Sequence, residues 1–196
     1  MTHVLDYESW KDIELSMLRK KIVDFSKTIP AFGDLSVRQL CCMAKKDMSP
    51  IGIYIFVSSE GEILYVGKTH GRSFQERMLS HLDSRDPIVG SPHLAQFVQS
   101  LVKRGDVKDA HEGVESLLAM KIIWLPIPTC ETNRKLLIAH IERRLLWHGC
   151  LDPKYNSQRV KKNDSFSIKG VRYYLDGNHL CGNTNLEMLR DCYGIK

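Results

Sequence analysis

The run IGIYIFVSSEGEILYVGKTHGRSFQERMLSH sets Tyr54, Tyr65, Lys68, His70, Arg77 and His81 around two short apolar runs, either as ordinary surface residues beside a sheet or as groups surrounding a phosphate, and far downstream stands the carboxylate of Glu142. Phenols and imidazoles exchange protons, lysine and arginine hold anionic oxygen, and a carboxylate can hold a hard divalent cation. Each is also an ordinary surface or core residue when taken singly, so the elements that bring them together decide what they mean.

The hydrophobic pattern supplies such elements. Gly52 to Val57 and Ile63 to Gly67 are rich in Ile, Val and Tyr and flank SSEGE, which predicts a hairpin turning at Gly61. In GRSFQERMLSHL, Ser73 and Glu76 form a capping box, so a helix is expected from Ser73 to about Leu82 with Arg77 and His81 on one face. Upstream, the spacing of Leu5, Trp10, Ile13, Leu15, Leu18, Ile22, Val23 and Phe25 predicts an amphipathic helix over residues 5–28, with a second short helix from Ser36. Downstream, His93 to Arg104 reads as a helix and LLAMKIIWLPI as a buried strand ended by Pro126 and Pro128. Asn133 to His148 reads as a long helix stopped by Gly149, and SFSIKGVRYYLDGNH, with Asp176-Gly177, as a small hairpin. Helices around a small, largely antiparallel sheet make the expected class α+β. The expected organisation is a helical N-terminal extension (1–49), a core (50–156) and a basic C-terminal extension (157–196).

Glu142 is the anomaly in this pattern. On a helix its neighbours at three and four residues are Ile138, Ala139, Leu145 and Leu146, all apolar. A carboxylate inside an apolar stripe needs a partner, either a buried cation such as arginine or a metal ion. The helix alone leaves both open.

Composition narrows the field. A chain of 196 residues, 43% hydrophobic and 26% charged, can bury one good core. It has no run of about 18 apolar residues and no basic-then-apolar start, so a cytoplasmic protein without a membrane partner is expected. The scattered cysteines lack any CxxC and are expected as free thiols, and His179, Cys181 and Cys192 match no standard zinc spacing. Of the net charge of +5, residues 133–196 carry +6 and residues 1–132 carry −1, so the positive field sits in the last third. A basic surface confined to one region suits a polyanion.

GIY (Gly52, Ile53, Tyr54) and YVG (Tyr65, Val66, Gly67), with ten residues between the tyrosines, resemble the signature of the GIY-YIG nuclease family. The order that follows is similar to the family's too: Arg77 and His81 on the next helix, Glu142 on a later one, Asn156 in PKYN, and YVGKT as the motif's continuation. The resemblance spans roughly Pro50 to Asn156. Valine replaces isoleucine in the second motif, a common variation. The resemblance implies an α/β sandwich around a three-stranded antiparallel sheet that hydrolyses phosphodiesters with one divalent ion held by Glu142, Mg²⁺ or alternatively Mn²⁺.

It also implies roles for the other residues. Arg77 would hold the phosphate and stabilise the transition state. Tyr54 would take a proton from water, although a free phenol titrates at about 10 and needs a nearby cation; Lys68 is the candidate for that or for a phosphate contact. Tyr65 would orient water or phosphate, His81 relay a proton or bind phosphate, and Asn156 fix the metal side. Beyond the resemblance, the basic residues Arg159, Lys161, Lys162, Lys169 and Arg172 are candidates to track a nucleic-acid backbone, with Tyr173 or Tyr174 contacting bases or packing the hairpin. Short extensions favour a site-specific type II restriction endonuclease acting on double-stranded DNA, with a homodimer as its candidate assembly. The alternatives are a defence, toxin or repair nuclease of relaxed, RNA or branched-DNA specificity, and a non-catalytic nucleic-acid binding module.

Overall fold

A computed structural model describes residues 3–11, 13–42, 51–69, 73–82, 96–128, 134–146, 151, 153–156, 165–168 and 171–174. Its centre is a three-stranded antiparallel sheet of β1 (Gly52–Val57), β2 (Ile63–Thr69) and β3 (Lys121–Pro126), in the order β2-β1-β3. The hairpin between β1 and β2 turns through Gly61 at φ 89°, a conformation glycine adopts without steric cost. Strand β1, paired on both sides, is buried at every position.

Because side chains alternate across a strand, β1 divides the core in two. Ile53, Ile55 and Val57 pack with Leu18 and Ile22 of α1 (Leu15–Ser26) and with Leu137, Ile138, Ile141 and Leu145 of α6 (Arg134–Leu145). Tyr54 and Phe56 pack on the opposite face with Phe74 and Met78 of α3 (Phe74–His81), Phe97 and Leu101 of α4 (Gln96–Arg104), and Leu117 of α5 (Ala110–Leu118). The fold is α+β, helices covering both faces of a small antiparallel sheet.

Both outer edges of the sheet are partly covered. On β3, Trp124 accepts from the Leu5 N–H and donates to the His3 carbonyl, forming a parallel bridge at Val4. On β2, the Lys154 and Tyr155 N–H groups donate to Ile63 and Leu64. Such covers blunt an edge that would otherwise pair with another chain.

Several expected elements shift. The first helix begins at Leu15 rather than residue 5: residues 3–5 lie along β3, Tyr7–Ser9 form a 3-10 turn, and Trp10 is buried with its indole N–H donating to the Leu5 carbonyl. Helix α2 (Val37–Cys42) stands where a short helix was expected. Helix α5 was not anticipated at all, and Leu117 and Leu118, expected to begin the strand, complete it. Its Asp109 cap accepts from the Glu112 N–H, and Gly113 lets it approach α4 so closely that a Cβ there would stand 2.8 Å from Val98 Cγ1. In the tail, β4 (Ser165–Ile168) pairs antiparallel with β5 (Val171–Tyr174), within the segment expected to form a small hairpin, and the expected turn at Asp176-Gly177 lies outside the described residues. The expected helix stop at Gly149 also lies outside them.

Candidate active site

Tyr54 is fully buried on β1, opposite Gly67 of β2. The pairing shifts between Phe56 and Val57, placing Leu64 as an extra residue in β2 while Tyr65 remains opposite Phe56. The result puts Tyr65 on the Tyr54 face, with ring centroids 6.0 Å apart.

Helix α3 completes this side. Ser73 accepts from the Glu76 N–H and Glu76 accepts from the Ser73 N–H, the expected capping box. One turn on, Arg77 and His81 meet at a single atom: Arg77 Nε–H donates to the Tyr54 hydroxyl oxygen at 3.3 Å, and His81 Nε2 lies 2.8 Å from it. His81 is 2% exposed, ringed by Tyr54, Phe56, Tyr65 and Phe97, and its Nδ1 has no partner among the described residues.

Burial dominates the protonation of this cluster. It raises the Tyr54 phenol well above 10, with Tyr65 adding to the rise and Arg77 opposing it. It also raises Tyr65, where Arg77 opposes and Glu142 adds. It drives His81 down to about 3, with the Arg77 guanidinium contributing. Tyr54 is therefore a neutral phenol and His81 a neutral imidazole at pH 7.

The second half of the site lies on the other sheet face. Lys68, opposite Ile53, reaches toward α6, and its Nζ donates to Glu142 Oε2 at 2.5 Å. The side chains are 30% and 18% exposed, so this is a half-buried pair rather than a surface one. Among the described residues the cation bonded to the Tyr54 hydroxyl is Arg77, while Lys68 is bonded to Glu142. Asn156 joins the halves through the strand itself: its Oδ1 accepts from the Val66 N–H and its Nδ2–H donates to the Val66 carbonyl, each at 2.8 Å.

Comparison with protein-family models, with curated proteins and with solved structures finds no match.

A single Mg²⁺ fits this donor set, since that ion commonly takes one or two carboxylates and keeps several waters. Glu142 would provide the carboxylate, whose Oε2 accepts from the Lys68 ammonium. Among the described residues no three His, Cys, Asp or Glu side chains cluster. Arg172 lies on β5, whereas Arg159, Lys161, Lys162 and Lys169 lie outside the described residues. No helix among the described residues is long and apolar enough to cross a membrane.

Sequence reasoning missed how far Gly67 matters. A Cβ at that position would stand 2.2 Å from Tyr54 Cζ and 2.3 Å from its hydroxyl oxygen. A glycine inside a strand was the available signal, because it marks a place where something must approach closely.

Proposed function

We propose that this chain is a GIY-YIG-type, metal-dependent endonuclease that hydrolyses phosphodiester bonds in double-stranded DNA, cutting at specific sites as a type II restriction enzyme does. The observation that carries this reading is the convergence of Arg77 and His81 on the Tyr54 hydroxyl of the central strand, with Glu142 bonded to Lys68 of the neighbouring edge strand β2 on the other sheet face. The basic C-terminal third supports a polyanionic substrate.

Arg77 already spends its Nε–H on Tyr54, and the η nitrogens of its guanidinium fork suit a non-bridging phosphate oxygen. The Tyr54 phenol cannot accept a water proton while it keeps its own. With His81 in the tautomer protonated at Nδ1, Nε2 accepts the phenol proton as Tyr54 takes one from the attacking water, so the two act as one base. A phosphate anion paired to Arg77 weakens the guanidinium's share of the His81 depression, which makes the imidazole a better acceptor once substrate is bound. Glu142 would hold the Mg²⁺, or Mn²⁺ in its place, which supplies Lewis-acid stabilisation of the leaving oxygen when bound. Asn156 acts one step removed, holding β2 in place through Val66.

The test is incubation of the purified protein with a long unmethylated duplex and Mg²⁺, with an EDTA control. Discrete metal-dependent fragments are the expected result. A smear moves the reading to a relaxed nuclease, and intact DNA, with RNA and branched substrates also uncut, leaves a binding module.

A further inference from the structure

We propose that Lys68 is a displaceable counter-ion: its ammonium holds the Glu142 carboxylate until a divalent cation takes that oxygen, and is then released to hold a phosphodiester oxygen. This rests on the reading of Glu142 as the metal ligand. Lys68 Nζ donates directly to Glu142 Oε2 at 2.5 Å, with both side chains half-buried. An ammonium has only donors and a hard cation needs the same oxygen lone pairs, so the two compete for Oε2 and repel each other near it. Binding a cation there is an exchange.

The residue type suits an exchange. A lysine is a point charge on a flexible stem and leaves its partner by turning a few bonds, whereas an arginine fork would hold both carboxylate oxygens. The released ammonium has a place to go. Lys68 stands on β2 two residues past Val66, where the Asn156 bonds lie, and its partner Glu142 is close enough to Tyr65 and Arg77 to act on both electrostatically. A phosphate entering at Arg77 offers Lys68 a second anion, so DNA and metal assist each other's binding, and by linkage the assistance is mutual.

The experiment is a calorimetric titration of the full chain with Mn²⁺ in the absence of nucleic acid. Lys68→Met removes the competing charge and keeps the stem, and its Mn²⁺ affinity is expected to rise roughly tenfold. Lys68→Arg keeps a cation and is expected to stay near the parent. Unchanged or weaker binding by Lys68→Met overturns the proposal, and Lys68→Gln serves the same comparison where the methionine variant does not fold. Glu142→Gln separates this from the underlying reading: it is expected to lose the site, and parent-like Mn²⁺ binding by that variant overturns the metal assignment whatever Lys68 does.

Discussion

Tyr54 fills the space that a side chain at Gly67 would need. The two residues face each other across β1 and β2, and the nearest atoms to a Cβ at position 67 are the Tyr54 Cζ at 2.2 Å and hydroxyl oxygen at 2.3 Å. The requirement is one of contact and not of backbone conformation, since Gly67 is not among the glycines with positive φ. The phenol oxygen therefore lies against the edge strand, where Arg77 and His81 meet it.

Gly67→Ala is accordingly expected to displace the phenol and to destabilise the protein by about 1–3 kcal/mol, the scale of an overpacked core. Tyr54→Phe in the same background is expected to give no rescue, because the overlap includes a ring carbon as well as the hydroxyl. Urea unfolding of the single and double variants checks both statements, and a parent-like midpoint for Gly67→Ala contradicts the first.

His81 makes stability depend on acid. Its pKa is held down at about 3, mainly by burial, against an ordinary value of about 6.5. A depressed folded-state value means the unfolded chain binds the proton first, so the contribution is complete above about pH 6.5 and is lost as pH falls toward 3. The whole window is worth on the order of 5 kcal/mol. His81→Phe removes the titrating group from its aromatic surroundings, and its unfolding free energy is expected to fall less steeply between pH 6.5 and 4, by one proton's worth of slope. Parallel pH profiles for parent and variant contradict this.

Where the sequence was legible, local chemistry decided the structure. The Ser73 and Glu76 cap and the one-turn spacing of Arg77 and His81 are properties of a few neighbouring residues, and they appear as expected. Glu142 was legible as a carboxylate needing a partner, but the partner was not, because Lys68 lies 74 residues away and reaches it only through sheet and helix packing. Helix α5 was hidden by Gly113, which weakens helical propensity and is explained by contact with Val98 on another helix. Residues 5–14 have helical spacing yet lie partly along β3, where main-chain bonds to Trp124 override the local pattern.

On the proposed nuclease reading, lysine is not expected to substitute for Arg77. A lysine has a single cationic nitrogen and cannot keep one donor on the Tyr54 oxygen while a separate fork holds a phosphate oxygen. Arg77→Lys is therefore expected to lower the maximal cleavage rate by about 10²- to 10³-fold, the range for losing one donor aimed at developing charge. DNA affinity, measured with Ca²⁺ in place of Mg²⁺, is expected to change far less than the rate. A loss of affinity as large as the loss of rate would instead make Arg77 a binding residue only.

Asn156 acts through the strand. Its amide makes two bonds to one residue, accepting from the Val66 N–H and donating to the Val66 carbonyl. Asn156→Asp keeps the acceptor and turns the donor into a second anionic oxygen facing that carbonyl, which is expected to cost about 1–3 kcal/mol at pH 7. Only the protonated carboxyl restores both bonds, so the folded-state pKa of the introduced group is raised above its unfolded value of about 3.9. The sign is opposite to that for His81: the restoring contribution is present at low pH and is lost as pH rises through the raised value. Urea unfolding near pH 4 is therefore expected to bring the variant closer to the parent than at pH 7. Cleavage at pH 7 is expected to fall as well, because Lys68 two residues along β2 and Tyr54 opposite Gly67 both depend on where that strand lies. A variant with parent stability and lowered cleavage would place Asn156 at the reacting centre instead of behind it.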